Sequence, residues 1–485
     1  MNVFDYFFES SQGLDKDFLL GGKETVSYKK LFADSQKVAA YLRENVGQDK
    51  PIILLSPNSV FFITAYLGIL KSGNFCIPLN YAIERSNLDY ILETTESTFI
   101  FCTTALSKKL SFGEINQVIT ESGLNDLLKE DRRILPIEDF NEERLAEIIF
   151  TSGSTGKPKG VMLSHKNLIA NTESIVSYLK LSDKDIMGVV LPFFYCYGLS
   201  LLHTHLRVGG SIVLNNNFIF LGSVINDLKK YKCTGFAGVP SHFQVLLKKS
   251  KTFKTTEFPD LKYVTQAGGK LHTIFIQEFI DAFHDIAFYV MYGQTEATAR
   301  LSYLDPHMLP EKIGSIGKAI PGVALKVCDS DGSEVPAGLE GELFAQGDNI
   351  MPGYYKDPEG TTKALKGGWL HTGDLARMDE DGYFYISGRQ KEIIKVGGKR
   401  VSPKEIEEVI LSVPEVVDCT IRGVEDELLG EAIEANIVSN KTINNEALKE
   451  KILKESSKKL APHKIPQQFN FKESLTTDLT GKKKI

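Results

Sequence analysis

Several markers that identify common protein classes are missing from this sequence. Its 485 residues include six cysteines, none of them in a CxxC pair, so neither a disulfide framework nor a zinc-ligand spacing is present. Basic residues number 56 against 62 acidic ones, and the net charge of −6 provides no positive excess for binding nucleic acid. We expect a protein of a reducing, cytoplasmic compartment that has no nucleic-acid partner.

No segment is apolar for long enough to span a membrane. The most hydrophobic stretch, residues 52–70, is broken by Ser56-Pro57-Asn58-Ser59, whereas a spanning helix needs about 20 apolar residues. The first residues contain no basic segment followed by an apolar one, so no signal peptide is expected. The motifs GxSxG, HExxH and GxGxxG are also missing, which argues against a hydrolase and a dinucleotide-dependent oxidoreductase.

The apolar pattern predicts an α/β fold. Short strand-like runs alternate with longer helical ones, as is typical of sheets flanked by helices. Strands are predicted at 52–55 and 76–79, with a helix at 61–71 between them. This part of the chain is therefore expected to form the sheets of a large N-terminal domain.

The composition and the apolar pattern of the sequence change twice towards the C-terminus. From Asp305 to Gly347, frequent Gly and Pro residues and short alternating strands predict a small antiparallel or barrel-like unit. The last hundred residues or so change to a compact α+β pattern rich in Lys and Glu. We place a domain boundary near Gly388, which gives an N-terminal domain of residues 1–388 and a C-terminal domain of residues 389–485.

A loop rich in glycine, hydroxyl groups and lysine follows the strand predicted at 147–150. Backbone amides, hydroxyls and ammonium groups concentrated in this way are suited to holding a phosphate chain, and a nucleotide triphosphate is the expected ligand. The candidate phosphate-binding residues are Thr151, Ser152, Gly153, Ser154, Thr155, Gly156, Lys157 and Lys159.

This loop is not a Walker motif. The spacing GxxxxGK[ST] is missing, and Pro158 follows Lys157 where a helix would already have begun. Val161-Met162-Leu163 resumes as a strand, so the loop is predicted to join two strands. A flexible surface turn is the alternative, and the two lysines and flanking strands favour the phosphate loop.

The segment from Thr151 to Gly160 resembles the phosphate loop of the adenylate-forming superfamily, which includes acyl- and aryl-coenzyme A ligases, firefly luciferase and the adenylation domains of peptide synthetases. Further motifs that resemble this family follow in the expected order. They are Tyr292-Gly293-Gln294-Thr295-Glu296, Thr372-Gly373-Asp374-Leu375, the segments 388–395 and 398–407, and Gly481-Lys482. The resemblance covers nearly the whole chain, from Val26 to Lys482.

The resemblance implies a fold and a reaction. The expected fold is a large N-terminal domain of α/β sheets with a small barrel-like unit, followed by a small mobile C-terminal domain. The expected reaction converts a carboxylic acid and ATP, with Mg²⁺, into an acyl-adenylate and pyrophosphate, and a thiol then displaces AMP. Such chemistry depends mainly on positioning and on stabilising the charge of the phosphate oxygens.

The resemblance also implies roles for individual residues. The catalytic residues would be Thr295 at the α-phosphate, Glu296 as the Mg²⁺ ligand, and Lys482 between the acid and the α-phosphate. Asp374 would accept hydrogen bonds from the ribose, assisted by Arg389. The adenine would stack on Tyr292 near a close approach of the backbone. The glycines expected in the ATP site are Gly268, Gly269 and Gly293.

Residues after the boundary are given roles in domain movement. Lys391 occupies the family's hinge position, and Lys395 and Gly398 lie on the stretch that enters the site for thioester formation in similar proteins. The sequence from Ser402 also predicts a helix start. Ser402 would be the N-cap, Pro403 the first helical residue and Glu405 the partner in a capping box.

The segment Leu191–Leu199 resembles the acid pocket of the family. The sequence contains no acidic residue between Ile186 and Asn226 to pair with a substrate ammonium, so an α-amino acid is disfavoured. Tyr195 stands where many acyl- and aryl-coenzyme A ligases have histidine. The apolar surroundings indicate a fatty or aryl acid, and the candidate pocket residues are Phe194, Tyr195, Tyr197 and Gly238.

Several functions remain open at this stage. The leading one is synthesis of an acyl-coenzyme A, and the nearest alternative transfers the acyl group to the phosphopantetheine of a separate acyl carrier protein. A luciferase-type oxygenase would share the fold. A nucleotide-binding regulatory protein without turnover is the alternative from a different class.

Overall fold

A computed structural model describes residues 1–21, 24–110, 112, 115, 117–133, 140–151, 157–426 and 429–475. Elements up to residue 133 come first. They are α1 Val3–Phe8, β1 Asp17–Leu20, β2 Val26–Ser27, α2 Tyr28–Asn45, β3 Pro51–Leu55, α3 Val60–Ser72, β4 Phe75–Leu79, α4 Arg85–Thr95, β5 Phe99–Cys102, α5 Thr104–Lys109, β6 Gln117–Ile119 and α6 Glu121–Lys129. The strands and helix predicted between residues 52 and 79 are confirmed as β3, α3 and β4.

The middle of the chain alternates strand and helix. Its elements are β7 Leu145–Thr151, β8 Lys159–Ser164, α7 His165–Leu179, β9 Ile186–Val189, α8 Cys196–Val208, β10 Ser211–Leu214, α9 Leu221–Lys230, β11 Gly235–Gly238, α10 Pro240–Lys249, β12 Tyr263–Gln266, α11 Thr273–Ala282, β13 Ala287–Tyr292, β14 Ser302–Leu304 and β15 Lys318–Ala319. Such alternation produces parallel sheets, because each helix returns the chain to the same end of the sheet.

The remaining elements are mostly antiparallel. They are β16 Val323–Cys328, β17 Glu340–Gly347, β18 Gly353–Tyr354, α12 Pro358–Ala364, β19 Leu365–Lys366, β20 Trp369–Met378, β21 Phe384–Arg389, β22 Ile394–Val396, β23 Lys399–Val401, α13 Pro403–Leu411, β24 Val416–Asp426, β25 Gly430–Ser439, α14 Asn445–Lys459 and β26 Gln468–Lys472. Short 3₁₀ turns occur at Phe253–Thr255, Thr295–Ala297, Pro306–Met308 and Pro462–Lys464.

Two large sheets form the body of the protein. The first has the order β15-β14-β13-β12-β11-β9-β10-β1-β2, and its strands from β13 to β1 are parallel. The second has the order β18-β8-β7-β4-β3-β5-β6. Helices α3 and α8 are buried on nearly every face, as expected of helices enclosed within the core. The predicted α/β class is confirmed.

Two smaller sheets follow. Strands β16, β17, β20, β19 and β21 form an antiparallel sheet, as predicted, although it extends past Gly347 to Arg389. Strands β22 to β26 form the last sheet with α13 and α14. The boundary predicted near Gly388 falls at the end of β21, between these two sheets, and the division into domains 1–388 and 389–485 stays a prediction.

The capping box predicted at the start of α13 is wrong. Pro403 is the first helical residue, but the Ser402 hydroxyl donates to the carbonyl of Ser387 and does not cap the helix. Glu405 forms an ion pair with Lys464. A carbonyl at the end of β21 therefore replaces the helix amide as the partner of the serine.

The helices in the described ranges do not combine the length and the apolar character that crossing a bilayer requires. Helix α3 is strongly apolar but has only 13 residues. It is capped at both ends, by Ser59 at its start and by Gly73 with φ of 82° at its end. These caps fix its length.

Candidate active site

A cavity of about 440 Å³ lies at the carboxyl ends of β12 and β13. Ligands of open α/β sheets commonly bind outside the carboxyl ends of parallel strands. The C-terminal sheet and α13 contribute to the opposite wall. Of the residues that the sequence singled out, those lining the cavity are Thr151, Tyr195, Gly268, Gly269, Tyr292, Gly293, Thr295, Glu296, Asp374 and Arg389.

A network of three side chains forms one end of the cavity. The Tyr292 hydroxyl donates to Asp374 Oδ2 at 2.6 Å, and Arg389 Nε donates to Asp374 Oδ1 at 3.0 Å. Asp374 and Arg389 face each other across β20 and β21, so strand pairing brings the ion pair together. The Asp374 side chain is 4% exposed and that of Arg389 is 58% exposed, so the network opens to the cavity on the arginine side.

The charges of this network support one another. Burial, and then the negative charge of Asp374, raise the pKa of Tyr292 well above its usual value, so the phenol keeps its proton and acts as a donor. The charge of Asp374 raises the pKa of Arg389. A carboxylate held between two donors on one side is suited to accept further hydrogen bonds from a ligand hydroxyl.

Thr295 and Glu296 lie in the short turn that follows β13. Thr295 is buried, with Oγ1 3.6 Å from the sulfur of Cys196, and Glu296 Oε1 accepts a hydrogen bond from the Tyr354 hydroxyl at 2.8 Å. Within the described ranges no group of three or more His, Cys, Asp or Glu side chains is arranged to hold a metal. A single carboxylate fits Mg²⁺ when phosphate oxygens and water supply the other ligands.

The backbone after Glu296 is strained and held in place by an asparagine. Thr298 has φ of 64° and ψ of −63°, which is unusual for a β-branched residue. Its hydroxyl donates to the Asn349 carbonyl at 2.7 Å, and Asn349 Nδ2 donates to the carbonyls of Ala297 and Arg300. Sequence reasoning missed Asn349, because its partners lie about fifty residues away along the chain.

Glycine is required for steric or conformational reasons at two positions of this region. A Cβ at Gly293 would lie 2.1 Å from the carbonyl oxygen of Ala299, so no other residue fits the turn after β13. Gly268 has φ of 83°, a conformation that favours glycine. The glycine at 293 is therefore required by the close approach of the Ala299 backbone, and the glycine at 268 by its left-handed conformation.

The predicted phosphate loop joins two strands, as expected. Strands β7 and β8 are antiparallel, and Thr151 pairs with Lys159. Thr151 lines the cavity, whereas Lys159 Nζ contacts Asp357 at 3.1 Å and Lys157 Nζ lies 5.5 Å from the ring centre of Tyr90. The loop residues Ser152, Gly153, Ser154, Thr155 and Gly156 lie outside the described residues.

The candidate acid-pocket residues separate in the structure. Tyr195 lines the cavity, but Tyr197 is a core residue whose hydroxyl contacts Thr265 and whose ring lies 4.0 Å from the Arg300 guanidinium carbon. Burial raises the pKa of Tyr197 to about 12. Phe194 and Gly238 are also buried, and neither is among the described residues lining the cavity.

Residues predicted for the thioester step lie away from the cavity in this structure. Lys395 is in β22, where its amide donates to Glu431, and Gly398 is in the turn to β23. Lys391 is exposed between β21 and β22. Lys482 lies outside the described residues. The C-terminal residues that do line the cavity after Arg389 are Glu392, Lys404, Glu407 and Thr420, which the sequence did not single out.

Polar and charged contacts connect α13 to Lys270 and to Thr273, the first residue of α11. Glu408 accepts from the Thr273 hydroxyl at 2.7 Å and pairs with Lys270 Nζ at 2.8 Å. Burial alone would raise the pKa of Glu408, but the positive charge of Lys270 and the donated hydrogen bonds hold it below its usual value. These contacts fix one position of α13 against the large N-terminal body.

Known proteins resemble this chain along nearly its whole length. Residues 8–355 match the sequence model of the AMP-binding enzymes, and residues 405–482 match that of the AMP-binding enzyme C-terminal domain. The chain is 28% identical to the oxalate–CoA ligase of Arabidopsis thaliana, over 96% of this chain and 93% of that protein. It is also 28% identical to a long-chain-fatty-acid–CoA ligase of Salmonella typhimurium, over 95% and 89%.

Solved structures also resemble this chain along nearly its whole length. The o-succinylbenzoate coenzyme A synthetase of Bacillus subtilis in complex with ATP and magnesium ion is similar, with a TM-score of 0.87, 26% identity and coverage of 99% of this chain and 98% of that one. A structure of that synthetase with its acyl-adenylate intermediate also matches, with a TM-score of 0.87 and 26% identity, over 99% and 96%. The chain therefore belongs to the family of AMP-binding enzymes, as the resemblance of its motifs predicted.

Proposed function

We propose that this protein is an ATP-dependent acid–thiol ligase that makes acyl-coenzyme A. The observation that carries the proposal is the Tyr292–Asp374–Arg389 network, which lies in the same cavity as Thr295 and Glu296. One end can hold the ribose of a nucleotide and the other can hold its phosphates. The ligases among the relatives favour coenzyme A over a carrier protein as the thiol substrate.

The first step forms a mixed anhydride. A carboxylate oxygen of the acid bonds to the α-phosphorus of ATP, the bond to the bridging oxygen breaks, and pyrophosphate leaves. Asp374 accepts from the ribose hydroxyls, and the Thr295 hydroxyl donates to the α-phosphate. Glu296 would hold Mg²⁺, which supplies positive charge to the phosphate oxygens.

A cation is needed where the two anions meet. Lys482 is our candidate, because its ammonium group would neutralise both the acid and the α-phosphate. Of the phosphate-loop residues described, Thr151 lines the cavity, and the rest of the loop would surround the β- and γ-phosphates. These assignments follow the family motifs.

The second step transfers the acyl group. The sulfur of coenzyme A bonds to the acyl carbon, the thiol gives up its proton, and AMP leaves. Lys395 and Gly398 would reach the cavity only after the C-terminal domain rotates about Lys391, because they lie elsewhere in this structure. The rotation would break the contacts of Glu408 with Lys270 and Thr273.

The acid is expected to be fatty or aryl. No carboxylate between Ile186 and Asn226 is available to pair with an α-ammonium, and Tyr195 provides an aromatic wall to the cavity. A cytoplasmic location is proposed on the cysteines alone, since all six are buried and free.

The test is pyrophosphate release from ATP and Mg²⁺ with fatty, aryl and amino acids, each with and without coenzyme A. We expect release that depends on one class of acid, with a thioester when coenzyme A is added. Formation of the acyl-adenylate without a thioester would indicate that the acyl acceptor is a carrier protein and not coenzyme A. No release with any acid would contradict the ligase and support a nucleotide-binding regulator.

The lysine assignment has its own variant. Lys482→Ala should reduce acyl-adenylate formation by about 100-fold or more, because the two anions then meet without a counter-charge, while ATP affinity is retained. Lys484→Ala, in the same terminal segment, is the matched control and should behave as wild type. Wild-type adenylation by Lys482→Ala would exclude this lysine.

A further inference from the structure

One buried amide on the cavity wall has no partner in the protein. Gln244 is 4% exposed and lies on α10, one turn after Pro240 and Ser241, which line the same cavity. Within the described part of the chain, neither its amide nitrogen nor its amide oxygen has a hydrogen-bond partner. Residues three and four apart share a helix face, so Gln244 faces the cavity with Pro240 and Ser241.

Burying an amide without a hydrogen-bond partner costs free energy, so a purely structural role does not explain Gln244. The same cavity wall includes the apolar side chains of Leu271 and Ile276, and burying an amide without a hydrogen bond costs more than burying an apolar side chain. The nearby Gln266 is also buried, but its Nε2 donates to the carbonyl of Gly269 at 2.8 Å. The contrast indicates that the partner of Gln244 is a ligand.

The position of Gln244 favours the acid over the nucleotide. The ribose end of the cavity is built from β13, β20 and β21, which hold Tyr292, Asp374 and Arg389. Helix α10 instead shares the cavity with Tyr195, the candidate acid-pocket residue that lines it. Gln244 is therefore placed on the acid side of the wall.

The charges nearby indicate a neutral group on the acid. The lysines that line the cavity are already paired, Lys270 with Glu408 at 2.8 Å and Lys404 with Glu407 at 2.9 Å. A second carboxylate on the acid would thus find no free lysine in the cavity among the described residues. A hydroxyl or amide group can both accept from the Gln244 nitrogen and donate to its oxygen.

We propose that Gln244 determines substrate specificity by binding a hydroxyl or amide substituent of the carboxylic acid. The preferred substrates are hydroxylated or amide-bearing fatty or aryl acids rather than their unsubstituted analogues. The proposal rests on the proposed function and adds the substrate class to it. A site built around a hydrogen-bonding group rejects analogues that lack the group much more strongly than an apolar pocket rejects a small change in size.

The test compares acids that differ by one hydroxyl group: cinnamate with hydroxycinnamates, benzoate with hydroxybenzoates, and hexadecanoate with hydroxyhexadecanoates. Wild type should favour one hydroxylated series by about 10- to 100-fold in kcat/KM. Gln244→Met should remove that preference, leave the KM for ATP and coenzyme A unchanged, and keep or raise the melting temperature. Gln277→Met, an exposed glutamine bonded to Asp281, is the matched control.

Other results would overturn the proposal. Unchanged preference with a lower melting temperature would make Gln244 structural. Unchanged preference with a raised KM for ATP or coenzyme A would place the amide against one of those substrates instead. If wild type activates none of the acids, the ligase function fails, and calorimetry with the same acid pairs still decides whether Gln244 discriminates between them.

Discussion

Two buried polar clusters in this protein have the same core chemistry, a tyrosine that donates to a carboxylate. In the interior, Tyr66 of α3 donates to Glu147 of β7 at 2.8 Å, and its oxygen lies 2.7 Å from His203 Nε2 of α8. In the cavity, Tyr292 donates to Asp374 at 2.6 Å. We call these the core cluster and the cavity cluster.

The clusters differ in how they handle charge. No arginine or lysine contacts Glu147 in the described part of the chain, and burial raises its pKa to about 7 while lowering that of His203 to about 3. Because Tyr66 has only one proton to give, His203 donates its Nε2 proton to the tyrosine oxygen. The cavity cluster has Arg389 as a counter-charge and an open side.

Burial is the first cause of the shifted pKa values of Glu147 and His203 in the core cluster and of Tyr292 in the cavity cluster, so a shifted pKa alone does not distinguish a ligand site from a core contact. The core cluster lies in the interior, with Tyr66, Glu147 and His203 at most 3% exposed, and it joins two helices to a sheet. The cavity cluster leaves acceptor capacity for a ribose. Four measurements test this distinction.

The largest effect is expected from Glu147→Gln as a function of pH. Glu147 keeps its proton in the folded state up to about pH 7, whereas the unfolded chain releases it near 4.5, so wild type loses stability as pH rises through this window. The variant should gain about 3 kcal/mol relative to wild type between pH 4.5 and 8. Urea unfolding at several pH values measures this.

His203 contributes in the opposite direction, since its lowered pKa costs stability as pH falls below 6.5. Both proteins contain it, so its effect largely cancels in the difference. A difference that does not vary with pH would show that Glu147 is ionised in the folded protein.

The second effect concerns the cavity cluster. Asp374→Ala removes the acceptor of two donors and the expected ribose ligand, so ATP affinity should fall by about 10- to 100-fold. Calorimetric titration with ATP and Mg²⁺ measures it. Asp381→Ala, an exposed aspartate paired with Lys312, is the control and should bind ATP normally. Unchanged ATP affinity in Asp374→Ala would remove Asp374 from the nucleotide site.

The third test removes one hydroxyl from each cluster. Tyr66→Phe leaves Glu147 and His203 without their shared partner and should cost about 1–3 kcal/mol of stability with unchanged kcat/KM. Tyr292→Phe should cost less stability, because Arg389 still pairs with Asp374, and should raise the KM for ATP several-fold. Melting curves and steady-state kinetics on both variants measure these effects. Equal changes in stability and in the KM for ATP in both variants would contradict the difference proposed between the two clusters.

The smallest effect is expected from a partly exposed ion pair outside both clusters. Lys270 and Glu408 are 27% and 29% exposed, and a partly exposed ion pair contributes about 0.5–1 kcal/mol. Lys270→Met should lower the melting temperature by only about 1–3 °C and leave ATP binding unchanged. Lys262→Met, whose contact with Asp185 is longer at 3.7 Å, is the control. A large loss of stability would show that this ion pair contributes more than its exposure allows.

Sequence reasoning succeeded where function requires a local backbone form. The strand pair on either side of the phosphate loop and the joint placement of Asp374 and Arg389 follow from short motifs. It failed where a distant group competes, as at Ser402, and it could not separate an aromatic pocket residue from an aromatic core residue, as at Tyr197. Asn349 and Gln244 could not be found, because their roles depend on contacts made across the fold.

The most direct test of the account is the stoichiometry of products. Wild-type protein is incubated with ATP, Mg²⁺, coenzyme A and the best acid of the panel, and the nucleotides and thioester are separated and identified by mass. We predict one AMP and one pyrophosphate for each acyl-coenzyme A formed. ADP in place of AMP, or thioester without AMP, would contradict the account.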